Sequence, residues 1–185
     1  MTRLGEKPLR SRKSVYVLDA TPIIHFAKVE KLGLALDICE AHITREVYRE
    51  SVEEGRDHPD AIVIRNAVNQ GEFKLYDVRD RGLVKALQRH PEIRFGEAET
   101  LAAAKELNAP AVVDEAEARA IAKTYVIQTR AGTLFLLFRI FALRQIEATE
   151  CLKVLDQLIE SGLYVDAHTL MRARQNIDGF RRSRK

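Results

Sequence analysis

The sequence predicts an α/β protein: a three-layer α/β/α sandwich around a mainly parallel sheet of about five strands, with extra C-terminal helices. Two observations carry this prediction. Short apolar runs rich in Val and Ile recur without in/out alternation, as in strands covered on both faces. Helical patterns separate those runs, and strand–helix alternation argues for parallel pairing through crossovers.

The expected strands are Val15–Leu18, Ala41–Ile43, Phe73–Tyr76, Ala111–Val113 and Tyr125–Ile127. The helical patterns between them cover Pro22–Val29, Leu32–Cys39, Glu46–Glu53, Pro59–Gln70, Gly82–Gln88, Glu97–Leu107 and Ala116–Lys123. From Thr133 onward the signal is helical only, with Leu134–Leu143, Thr149–Ser161 and Ala167–Gln175 expected to cover the sheet. No internal repeat interrupts the pattern. The expected organisation is one domain over residues 15–178, flanked by basic tails at 1–14 and 179–185.

With 46% hydrophobic and 31% charged residues, the 185-residue chain has an ordinary globular composition. The longest apolar run, "TLFLLFRIFAL", is too short to span a bilayer and contains Arg139, so no membrane association is expected. "MTRLGEKPLRSRKS" lacks a signal-peptide apolar core, and a cytoplasmic location is expected. Cys39 and Cys151 stand apart, without the spacing of a zinc site or a disulfide framework. Net charge is unevenly spread. Residues 1–14 hold five Lys/Arg and 171–185 hold six, leaving 19 of the 30 basic but 25 of the 27 acidic groups between them. Basic ends on an acidic body suit a polyanion partner, although solubility alone accounts for terminal Lys and Arg.

In an open parallel sheet, ligands bind beyond the carboxyl ends of the strands. Acids at those positions are therefore the candidates. Asp19 follows the first apolar strand, where Thr21 and Pro22 supply the expected helix cap and leave its carboxylate for other work. Asp114 follows "APAVV" and precedes Glu115. Glu46 and Glu50 share a helix face, whereas Glu97 and Glu99, two residues apart, point in different directions. First-turn carboxylates also complement a helix dipole without any chemistry, and each acid alone has such an explanation. Convergence of four acidic positions has none, because clustered carboxylates repel unless a cation joins them. Oxygen ligands without His or Cys favour Mg²⁺ or Mn²⁺. His25 reads as an ordinary helix residue.

Three segments resemble the PIN domain, a metal-dependent nuclease fold, and in particular its archaeal and bacterial group of predicted nucleic acid-binding proteins. "LDATPIIHFAKVEKLGLA" resembles the opening element, "ITREVYRES" the second, and "GEAETLAAAKELNAPAVVDEAEARAIA" the most distinctive third. "LDQLIESGLYVDAHTLMRA" resembles the closing helices. The resemblance implies an acidic quartet of Asp19, Glu50, Glu97 and Asp114 that binds Mg²⁺ or Mn²⁺ and hydrolyses phosphodiester bonds. RNA is the expected substrate in preference to DNA. The chain departs from the pattern at Asp114-Glu115, where many relatives have Asp-Asp, so Glu115 is an alternative ligand. Some PIN proteins are toxins restrained by a small antitoxin and others process RNA, and the likeness also implies a homodimer. The rival reading is a non-catalytic nucleic-acid or protein-binding module on the same fold. Phosphatases that need Asp-x-Asp do not fit "DAT", and "QTRAGTLF" lacks the Walker Lys-Ser/Thr pair.

Overall fold

Val15 and Val17 face one side of the central strand and Tyr16 and Leu18 the other, because successive strand side chains alternate. With apolar residues on both faces, β1 (Ser14–Leu18) can only sit inside a sheet covered on both sides. The computed structural model describes residues 13–182, with side chains for 13–179. Of the basic tails expected at 1–14 and 179–185, residues 1–12 and 183–185 lie outside the described residues, and the last helix runs past the expected domain end to Arg182.

The sheet contains β2 (Cys39–Thr44), β3 (Phe73–Tyr76), β4 (Ala111–Val113) and β5 (Thr129–Ala131), in the order β3-β2-β1-β4-β5, and every pairing is parallel. One core cluster packs α1 (Ala20–Lys28), α2 (Leu32–Asp37), α4 (Pro59–Asn69), α8 (Gly132–Ala142), α9 (Ala148–Glu160) and α10 (Ala167–Arg182) on one face. The other cluster packs α5 (Arg81–Leu87), α6 (Phe95–Glu106) and α7 (Ala116–Thr124) on the opposite face. α3 (Arg45–Tyr48) follows β2 and runs into a π-helical turn over Arg49–Glu53. The result is the expected α/β/α sandwich with added C-terminal helices.

Strand order places the switch point between β1 and β4. The chain leaves β1 toward β2 and β3, then crosses back to add β4 on the opposite side of β1. Leu18 is in register with Val112, so both strands end side by side. The following residues, Asp19 on one side and Asp114-Glu115 on the other, open onto the crevice where such sheets take ligands.

Two expectations need correction. Helix α1 begins at Ala20, so Asp19 occupies the cap position in place of Thr21, yet its side chain makes no capping hydrogen bond. The fifth strand lies at Thr129–Ala131, not Tyr125–Ile127. Tyr125–Ile127 is the exit turn of α7: Val126 N–H donates to the Lys123 carbonyl and Ile127 N–H to the Ala122 carbonyl. Tyr125 and Ile127 face inward as Val126 turns out, an apolar triplet with no strand behind it. The true strand, "TRA", is a largely exposed sheet edge and carries no apolar signal.

Cys39 and Cys151 are buried free thiols, and burial pushes both up to about 12, which keeps them unreactive. Among the described residues no helix is long and apolar enough to cross a membrane.

Val126 has φ 57° and is 86% exposed, so a β-branched residue holds a left-handed conformation with little packing in return. That conformation costs an L-residue about 1–2 kcal/mol, and glycine adds back about 0.4–1 through the unfolded chain. Val126→Gly is expected to stabilise the protein by roughly 0.5–1 kcal/mol, read as a rise of about 2 °C in thermal denaturation.

Candidate metal centre

The centre is built from three helix starts that meet at the switch point. Asp19 caps the start of α1, Glu115 holds the same position in α7, and Glu97 lies in the first turn of α6. Neither Asp19 nor Glu115 spends its carboxylate on capping its own helix. One carboxylate oxygen from each of Asp19, Glu97 and Glu115 comes within 4.8 Å of the other two. Asp19 and Glu97 are buried, and Glu115 is partly so.

Each acid is held by a neighbour. Thr100, one turn into α6 beyond Glu97 and fully buried, donates its hydroxyl to Asp19 Oδ1 at 3.4 Å. Glu97 Oε2 accepts the backbone N–H of Arg94 at 2.8 Å, a bond that also closes the N-terminus of α6. The Arg94 guanidinium then reaches Glu115 Oε1 at 3.0 Å and Glu97 Oε1 at 3.4 Å. Arg94 therefore bridges two of the three acids with a cation. Glu115 Oε2 is buried and has no hydrogen-bond partner among the described residues.

The electrostatics follow from this crowding. Asp19 is raised from 3.8 to about 8 by its burial, then by the charges of Glu97 and Glu115, with the Ala20 N–H opposing and Glu50 adding. Glu97 is also raised, first by burial, with the Arg94 N–H opposing and Glu115 adding. Such a site favours either a shared proton or a bound cation. All its donors are oxygens, and one buried oxygen lacks a partner, so the residues fit a hard divalent cation.

Glu50, in the π-helical turn, stands beside the cluster. A Cβ on Gly96 would come within 2.6 Å of Glu50 Oε1, so the glycine of "FGEAE" is what lets that carboxylate approach α6. Burial raises Glu50, and Glu46 adds to the rise while Arg94 opposes it. Glu46 itself is taken by Arg49, whose Nε donates to it at 2.9 Å. Glu99 is buried but diverges from Glu97, as its helical spacing requires, and pairs with Arg81.

Asp114 lies outside the three-acid cluster. Its carboxylate accepts Thr133 N–H at 2.8 Å and Thr133 Oγ1–H at 2.7 Å, tying the end of β4 to the start of α8. Gly132, with φ 48°, permits that approach, since a Cβ there would lie 2.7 Å from Asp114 Cα. Burial raises Asp114, with both Thr133 bonds opposing. The quartet expected from the sequence is thus distributed as follows: Asp19 and Glu97 meet, Glu50 flanks them, Asp114 turns to Thr133, and Glu115 joins in. Arg94, Thr100 and Thr133 went unrecognised. Only the proximity of Arg94 to "FGEAE" and of Thr133 to "RAGT" offered a signal, and neither pattern specifies a partner across the sheet.

A parallel α/β sandwich with a carboxylate cluster at its switch point defines a class of acidic, metal-binding-type centres. A family model described as a PIN domain matches residues 15–178, and the chain belongs to the PIN domain family. PIN domains are generally nucleases and typically use a divalent metal. No curated protein matches the chain.

The raised Asp19 carboxyl binds more protons in the folded state than in the unfolded one. Metal-free stability therefore falls as pH rises from 3.8 through about 8. In EDTA, Asp19→Asn is expected to melt several degrees above wild type near pH 8, with the difference shrinking toward about pH 4; a melting temperature unchanged by the substitution at pH 8 would count against this account. Arg94→Ala removes the competing cation. It is expected to tighten Mn²⁺ binding about three- to tenfold by calorimetry while lowering the metal-free melting temperature.

Proposed function

We propose that the protein is a Mg²⁺- or Mn²⁺-dependent endoribonuclease that hydrolyses RNA phosphodiester bonds at the acidic centre. The observation that carries this reading is the buried, unpartnered Glu115 oxygen beside Asp19 and Glu97, at the end of the sheet where a ligand has access. Asp19, Glu97 and Glu115 would hold the ion, with Glu50 next to them. A bound divalent cation supplies charge neutralisation and Lewis acidity toward a phosphodiester.

The chain's own groups have separable roles. Thr100 orients Asp19, and the Arg94 backbone orients Glu97. Arg94, whose side chain is 66% exposed, is long enough to leave the acids once a cation replaces it, and its planar donors suit a phosphate of the bound strand. The partly shared burial of the acids keeps bulk water from the inner oxygens while leaving the outer edge open to a polymer. RNA in preference to DNA rests on the family resemblance, as do a restraining antitoxin or a homodimeric partner.

Incubation of a mixed-sequence single-stranded RNA with Mn²⁺ tests the reading. Wild type is expected to cleave it, leaving 5′-phosphate and 3′-hydroxyl ends, and EDTA is expected to abolish cleavage. Asp19→Asn should lower the rate by at least about a hundredfold. RNA binding without cleavage by wild type would replace the nuclease with a binding module.

A further inference from the structure

A cleft of about 580 Å³ opens beside the acidic centre, shares Glu115 with it and has Asp114 in its wall. Its volume is in the range of sites that enclose small organic groups. α1, the start of α7 and the segment between α9 and α10 form its walls. Leu134, Leu163 and Val165 supply apolar surface, whereas Glu117 and Asp166 add to the negative charge of Asp114 and Glu115, against the cation Arg119, which donates to the Val113 and Asp114 carbonyls. A phosphate would be repelled there. A flat, uncharged ring would not.

Tyr164 stands on the rim of this cleft with 90% of its surface exposed. Leu163 is buried, and its N–H donates to the Leu158 carbonyl as Gly162 N–H donates to the Ile159 carbonyl. On the other side Asp166 Oδ1 accepts Thr169 N–H at 2.9 Å, closing the start of α10. The segment is pinned at both ends, so the backbone that carries the exposed ring is already ordered before a ligand arrives.

Inside the cleft, His25 has a defined tautomer. Ser161 Oγ donates to the Leu158 carbonyl at 2.7 Å, so at 2.9 Å it accepts from His25 Nδ1–H. In the neutral ring Nε2 is left as a hydrogen-bond acceptor. The opening thus combines an exposed aromatic face, an apolar floor and an acceptor, next to acids that suit a cation and a scissile phosphate.

We propose that this cleft receives an unpaired base of the single strand adjacent to the cleaved bond, with Tyr164 stacking on the base and His25 accepting a hydrogen bond from it. This rests on the nuclease reading and adds a base-binding subsite to it. Stacking is tolerant of base identity, so the subsite would enforce single-strandedness more than sequence.

Fluorescence anisotropy tests this with a labelled mixed-sequence RNA, the DNA of the same sequence and an RNA of the same length carrying abasic positions. The measurements use Ca²⁺ at one ionic strength, with strand integrity checked on a gel. Tyr164→Ala is expected to weaken RNA binding about tenfold, the loss typical of one stacked base, while Tyr164→Phe stays within about twofold of wild type. The abasic strand should bind weakly and indifferently to Tyr164. An equal loss on DNA supports a base as the occupant, and a loss on RNA alone supports a base read together with its ribose. Equal binding of wild type and Tyr164→Ala to a strand that wild type does bind and cleave overturns the subsite and leaves the nuclease standing. Equal losses on abasic and intact strands overturn it as well. A wild type that binds no single strand overturns both readings.

Discussion

Holding Asp19 and Glu97, both buried, and the half-buried Glu115 within 4.8 Å of one another is the constraint around which the rest of the structure is arranged. Like charges so close, in a region poor in water, oppose folding unless something offsets them. Three helix N-termini converge on the same point, and their unpaired N–H dipoles favour negative charge. Arg94 contributes a full positive charge across Glu97 and Glu115. Even so, Asp19 stays raised to about 8, so the offset is incomplete. A cation placed among these acids would relieve that residual cost.

The packing around the centre serves this placement. β1 is central and apolar on both faces, which makes its end a rigid platform for Asp19. α6 is buried over residues 96–104, so the first turn bearing Glu97 cannot rotate away. Two glycines allow close approaches that no other residue could: Gly96 admits Glu50, and Gly132 admits Asp114 to Thr133. The Asp114–Thr133 pair links β4 to α8, next to Glu115.

Much of this was legible in the sequence, and the exceptions are informative. Apolar runs located β1 through β4 because burial on both faces leaves a continuous signal. The expected β5 differs because an exposed edge strand needs no apolar residues, whereas the turn at Tyr125–Ile127 packs a half-buried Tyr125 and a buried Ile127 inward. Asp19 and Glu97 stood out as acids at a strand end and in a distinctive first turn. Between Asp114 and Glu115 the sequence left a choice, since adjacent residues at a strand end point in different directions and the backbone twist there decides which enters the crevice.

The sequence by itself determined the layered α/β architecture, the parallel sheet, the PIN resemblance and the neighbourhood of the acids. These follow from periodicity and local chemistry, which are written in consecutive residues. Only the tertiary structure decided that Glu115 joins Asp19 and Glu97, that Arg94 bridges them, and that Tyr164 overlooks the same crevice from the far end of the chain. Those relations join residues up to 145 positions apart, as between Asp19 and Tyr164. Their geometry depends on strand order and crossover packing, which no local pattern encodes.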